Sequence, residues 1–169
     1  TSTQMVLAKC FVLFVLSVIF CVSSTVATMI CGFVFWGVSD VLFKLFFSIL
    51  YGLLIAISAL PLVLLIVFFS KSYIFSIMLC VFYSVFNLLS TFSMTSLPKV
   101  LVHILPTPSI MMWGTKQMAS RMVVNDVNDL QHFEQMGLIQ STPQLLITLC
   151  TIGAISIFLA IYLYKKRSE

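Results

Sequence analysis

Four long stretches of this chain are predominantly apolar. They lie between Lys9 and Asp40, Lys44 and Lys71, Lys71 and Lys99, and Glu134 and Lys165, and none contains a charged side chain. A membrane-spanning helix needs about 20 mostly apolar residues. Each stretch is long enough to cross once and too short to cross twice. The pattern predicts helices at 10–36, 45–69, 73–96 and 145–164. Alternating segments of about ten residues, which a membrane barrel would show, do not occur. The expected fold class is all-α integral membrane: one transmembrane domain over 1–169, with a segment outside the spans at 97–143.

Two residues interrupt the most apolar run, "ISALPLVLLIVFFSKSYIFSIM". A lysine at mid-bilayer costs about 2.5–3.5 kcal/mol. Lys71 escapes that cost if "FSKSY" is a tight turn at headgroup level joining the second and third spans. Pro61 lies inside the second span. It removes one backbone hydrogen bond and crowds the preceding turn, so a helix kink is expected there. Spanning helices tolerate this when neighbours satisfy the freed carbonyl.

Composition agrees with the pattern. Hydrophobic residues make up 61% of the chain, charged residues 8%, and mean hydropathy is +1.16. A soluble domain carries roughly 25% charged residues. Charge also suggests an orientation. The chain ends "IYLYKKRSE", with Lys165, Lys166 and Arg167 at a helix end. The positive-inside rule places these in the cytoplasm. With four spans, both ends of the chain are then cytoplasmic in the cell membrane, and 97–143 is external. The first span is longer than the apolar core of a cleavable signal and lacks a small-residue cleavage pattern, so it is expected to stay in the membrane.

Small and polar residues recur on one face of several spans. On the first these are Cys10, Ser17, Cys21, Ser24, Thr28 and Cys31; on the third, Ser76, Cys80, Ser84, Asn87 and Thr91. The second offers Ser48, Gly52, Ala56 and Ala59, and the fourth Gly153, Ser156 and Ala160. Small residues let helices approach closely, and hydroxyls bond across the contact. Interhelical packing is the commoner role. The sharper one is a wall facing a substrate path or a subunit interface. Candidates for that wall are Ser76, Cys80, Ser84, Asn87, Thr91, Ser17, Cys21, Ser24 and Thr28, with Asn87 first as the most polar. The five cysteines show no metal-ligand spacing and read as small packing residues.

The segment at 97–143 is of another kind. "KVLVHIL" is too short to span and suits a short interfacial or re-entrant helix, with Trp113 at headgroup level. The stretch "VVNDVNDLQHFEQMGLIQSTPQ" is polar enough for water, and the last helix is expected to start near Pro143. Met111, Met112, Met118 and Met122 offer an adaptable apolar surface, although core packing is the more ordinary use. His103 and His132 sit outside the spans, where they read as surface residues, and no metal site is expected. No phosphate-cradling loop, zinc-protease helix, nucleophile elbow or paired intramembrane carboxylate is present, so no catalytic residue is assigned. Proton-coupled transport needs ionisable groups inside the spans, and these spans have none. Any transport must draw energy from elsewhere.

The order of these features resembles a known family. "STQMVLAKCFVLFVLSVIF", "LYGLLIAISALPLVLLIVFFSKSYIFSIM", "SLPKVLVHILPTPSIMMW" and the basic tail "LYKKRSE" are similar to the last four helices of type-2 ABC exporter permeases of the bacitracin-export and lantibiotic-immunity sort. The resemblance implies a six-helix permease whose first two helices and coupling helix are not in this chain. It implies a second permease copy or a homologous permease, and an ABC ATPase subunit that binds ATP and Mg and hydrolyses ATP. It also implies a hydrophobic peptide or peptide-antibiotic cargo, and no nucleic acid. The competing expectation is a non-transporting membrane anchor or assembly subunit, which explains the small-residue faces equally well.

Overall fold

The computed structural model describes residues 2–35, 40–69, 72–93, 96–119 and 128–168. All regular structure in them is helical. The long helices are α1 (Ser2–Phe35), α2 (Val41–Phe68), α3 (Tyr73–Phe92) and α7 (Thr142–Ser168). Between α3 and α7 lie the short helices α4 (Lys99–Ile104), α5 (Pro106–Ala119) and α6 (Asn128–Gln135). Four segments among the described residues are long and apolar enough to cross a membrane: Val6–Gly32, Val41–Phe68, Ile74–Phe92 and Thr142–Lys165. The protein is an all-α integral membrane protein. Lys71 and Trp36 lie outside the described residues.

Helix α2 is the hub. It packs on α1, α7, α3 and α5. Its small residues permit this, because lipid supplies no hydrophobic force between helices and close packing must do the work. Ser48, Gly52 and Ala56 are buried. A Cβ on Gly52 would lie 2.9 Å from the Val18 Cα of α1. On α7 the buried Gly153, Ser156 and Ala160 serve the same purpose. A Cβ on Gly153 would meet Ile57 and Leu60 of α2 at 3.2 and 3.3 Å. Val6 and Cys10 of α1, Leu60 of α2 and Ala160 of α7 close one end of this trio. There Lys9 Nζ stands 5.3 Å from the centroid of the Tyr164 ring. The apolar faces left outside, such as Phe11 and Ile30 on α1 and Phe82 and Phe92 on α3, are exposed and suit lipid contact.

Helix α2 continues through Pro61 without a break. Proline gives no N–H to the Ile57 carbonyl and its ring crowds that carbonyl, which displaces the turn that includes Ser58. Tyr83 of α3 donates its hydroxyl to the Ser58 carbonyl at 3.0 Å. A neighbouring helix thus serves a carbonyl next to the disturbed turn, as the bilayer requires.

The opposite end of the bundle is built by the segment between α3 and α7. Trp113 of α5 stacks on Phe47 of α2, with centroids 5.7 Å apart. Its indole N–H donates to Thr142 Oγ1 at 3.0 Å. The side chain is 5% exposed. Trp113 is thus an internal anchor of α5, its N–H held by a partner at the start of α7. Ser109 Oγ donates to the Val102 carbonyl at 2.8 Å, and Gln140 Nε2 to the His103 carbonyl at 3.0 Å, so the α4–α5 corner is closed from both sides. Helix α6 ends on Gly137 at φ 68, where Leu138 N–H reaches the Phe133 carbonyl and Gly137 N–H that of Glu134. This is a Schellman end, with the usual contact between Leu138 and Phe133. Helix α7 starts with a capping-box feature: the Gln144 side chain accepts the Ser141 backbone N–H at 3.3 Å, with Pro143 in the first turn.

Candidate functional site

A cleft of about 870 Å³ lies between α1, α2 and α5. Helix α1 contributes Ser17, Phe20, Cys21, Ser24 and Thr25; α2 contributes Phe47, Ser48, Tyr51 and Ile55. The third wall is Met111, Gly114, Thr115 and Met118 of α5. Among the described residues, no Asp, Glu, Lys, Arg or His lines it.

Local sequence explains each wall. On α2, residues four apart stack on one face. Phe43, Phe47 and Tyr51 therefore form an aromatic ladder, with successive centroids 5.9 and 6.0 Å apart. Helix α5 lies across this ladder because Gly114 has no side chain. A Cβ there would come within 2.7 Å of Tyr51 Cε2. On α1, Ser17 Oγ donates to the Gly52 carbonyl at 2.8 Å, which fixes the depth of the α1–α2 groove. Thr25 Oγ1 lies 2.9 Å from Ser48 Oγ one level nearer the α5 end.

The sequence candidates separate into two groups. Ser17, Cys21 and Ser24 come together on the cleft wall. Thr28 is exposed beyond it and donates to the Ser24 carbonyl at 2.8 Å. The α3 set lies elsewhere. Ser76, Asn87 and Thr91 are buried, Cys80 is half-buried and Ser84 is exposed. Ser76 donates to the Phe69 carbonyl at 2.9 Å, Ser84 to that of Cys80 at 2.9 Å, and Thr91 to that of Asn87 at 2.9 Å. Asn87 Nδ2 donates to the Tyr83 carbonyl at 3.0 Å, while its Oδ1 is buried without a partner. The α3 face thus meets its own backbone and its neighbours α2 and α5, not the cleft.

Sequence reasoning missed Thr25, Phe47, Tyr51 and Gly114 as cleft residues. The i, i+4 aromatic spacing on α2 was the available signal. Gly114 had none, because its partner Tyr51 is distant in sequence. Among the described residues no group of His, Cys, Asp and Glu is placed to hold a metal ion. Lys116 and Glu134 pair at 2.6 Å on the exposed side of α5 and α6, where the pair is a tie between helices.

No curated protein and no solved structure is similar enough to this chain to count as a match. A family model described as ABC-2 family transporter protein matches residues 1–87, just over half of the 169-residue chain. The match runs through α1 and α2 and into α3 as far as Asn87. This chain therefore belongs to the ABC-2 transporter family, and it is a multi-pass permease subunit of the kind that works with an ABC ATPase.

Proposed function

We propose that this permease exports hydrophobic peptides or peptide antibiotics from the membrane or the cell, in export or self-immunity, and that the α1–α2–α5 cleft is part of the cargo path. The observation that carries this reading is a cleft whose described lining is rings, thioethers and small hydroxyls, with no charged side chain among them. Such a wall accepts apolar side chains and holds an occasional polar group. Ligand cavities commonly span about 300–1,000 Å³ and are mostly apolar with a few placed polar groups. The described spans carry no acidic or histidine side chain, and their lysines, Lys9, Lys44 and Lys165, lie within about a turn of a span end, so energy comes from ATP and Mg on a separate nucleotide-binding subunit. A second permease copy or a homologous permease completes the assembly. Both ends of the chain face the cytoplasm, and α4 to α6 lie outside.

The test fills the cleft from an exposed position. Ser24 lines the cleft and is exposed, so Ser24→Phe should insert and fold normally. Export, or peptide resistance, measured in cells with the partner ATPase should fall at least about tenfold at equal membrane expression. Unchanged export with the cleft filled would remove it from the cargo path.

A further inference from the structure

The hydroxyls of the cleft differ in what they still offer a ligand. Ser17 Oγ donates to the Gly52 carbonyl at 2.8 Å, and Thr115 Oγ1 to the Met111 carbonyl at 2.9 Å. Thr25 Oγ1 is 2.9 Å from the Cys21 carbonyl and 2.9 Å from Ser48 Oγ. A threonine hydroxyl has one proton, and a carbonyl can only accept. With that proton on the Cys21 carbonyl, the Ser48 hydroxyl supplies the proton of the other bond. Four hydroxyl protons of the wall are then committed inside the protein. What these groups retain is oxygen lone pairs.

The rest of the wall has the same polarity. The faces of the Phe20 ring carry negative quadrupole charge, and the Met111 and Met118 sulfurs are weak acceptors; Phe47 is stacked between Tyr51 and Trp113. The Ser24 and Tyr51 hydroxyls and the weak Cys21 thiol are the remaining donors. Among the described residues, no cationic side chain lines the space.

We infer that the cleft selects amphiphiles whose polar end is an amine or ammonium on an aliphatic or aromatic body, and rejects those ending in carboxylate, sulfate or phosphate. An ammonium brings its own N–H donors to the lone pairs and is attracted to the ring faces. An anion gives up its water and finds almost no donor in return, which is costly in a low-dielectric site. That such a ligand is the cargo rests on the export reading above; the binding preference itself concerns the cleft alone.

The experiment uses Trp113 as the reporter, since it stacks directly on the cleft residue Phe47. In the full-length protein every other tryptophan is replaced by phenylalanine, and the protein is placed in nanodiscs of uncharged phosphatidylcholine. Dodecylammonium and dodecyl sulfate, both brominated on the chain, are titrated at equal measured membrane fraction. Saturable quenching of Trp113 by the ammonium at least about tenfold tighter than by the sulfate is expected. Equal affinities, or tighter sulfate binding, would overturn the inference. Ser24→Arg then adds a cation to the wall and should shift the preference at least about tenfold toward the sulfate. Thr115→Arg, also exposed and on the opposite wall, repeats the test if Ser24→Arg does not fold. A preference unmoved by a folded arginine variant would show that the ligand sits elsewhere and overturn the inference as well. No ATPase is present and no transport is measured. Failure of export therefore leaves this result standing, and failure of this result leaves the export reading intact.

Discussion

On α1, Ser17 points across to α2 and bonds the Gly52 carbonyl, and Thr25, bonded to the Cys21 carbonyl of its own helix, also meets Ser48 of α2. On α3, Ser84, Ser90 and Thr91 turn back to carbonyls of their own helix, at Cys80, Phe86 and Asn87. The two stripes are the same in sequence: serine, cysteine and threonine at helical spacing. Their difference comes from what stands opposite. Helix α2 shows α1 a glycine and a serine, so the backbones close and the hydroxyls reach across. A hydroxyl with nothing in reach bonds the carbonyl one turn back, because lipid provides no water. A polar stripe therefore identifies a face, and the small residues of the partner decide whether that face becomes a tight contact.

The largest effect follows at Gly52. A Cβ there would sit 2.9 Å from the Val18 Cα, and a backbone atom cannot step aside. Gly52→Ala should cost about 1–3 kcal/mol, the usual range for overpacking. Gly32, on the same α1 that Gly52 packs against, has nothing within 4 Å of an added Cβ. Gly32→Ala should leave stability unchanged or raise it by up to about 1 kcal/mol, through helix propensity. Denaturant unfolding in detergent micelles measures both. Equal midpoints for the two variants would break the contrast, since the close approach of α1 to α2 would then carry no weight.

Tyr83 is the α3 side chain that bonds into the body of α2, at the Ser58 carbonyl beside the Pro61 turn. Tyr83→Phe keeps the ring and removes the donor. The expected loss is about 1 kcal/mol, typical of one hydrogen bond. Adding Pro61→Ala restores the helix N–H at 61, so the two changes should compensate in part. A double-mutant cycle in the same micelles reads this coupling. Strict additivity would mean that Tyr83 does not relieve the strain of the proline turn.

How much of this was legible beforehand depends on the kind of information involved. The spans were legible because charge spacing alone bounds them: the expected 45–69 and the observed Val41–Phe68 differ by a turn at one end. The start of α7 was legible because Ser141, Pro143 and Gln144 act on their own neighbours. The packing of Trp113 was not. The partners that bury it, Phe47 and Thr142, lie 66 and 29 residues away in the chain, beyond the reach of any local pattern. Helix α5 was obscured for a similar reason. Its prolines at 106 and 108 fall in the first turn, where they start a helix as readily as they break one. The α1 stripe indicated the face on which the cleft lies, but its α2 and α5 walls required tertiary placement.

The smallest effect on stability is expected at Asn87, the most polar residue of the α3 stripe. Its Nδ2 donates to the Tyr83 carbonyl, while Oδ1 is 96% buried with its residue and has no partner, the side chain being 4% exposed. A carbonyl one turn back in a helix already accepts a backbone N–H, so losing the Nδ2 bond leaves little unsatisfied. Removing the unpartnered Oδ1 lifts a cost of about 1–3 kcal/mol. Leucine has a similar volume and fills the site. Asn87→Leu should therefore be neutral or stabilising by up to about 1 kcal/mol in the unfolding assay, and the protein should insert at normal levels. A loss beyond about 1 kcal/mol would reveal a partner for Oδ1, a bound water or a side chain of another subunit. Export assayed beside expression then separates packing from function. Normal export in the leucine variant makes the α3 stripe a packing face, the opposite of the cleft wall on α1. Reduced export at equal expression would put Asn87 on the cargo path or on a seam with the second permease, and would erase the contrast between the two stripes.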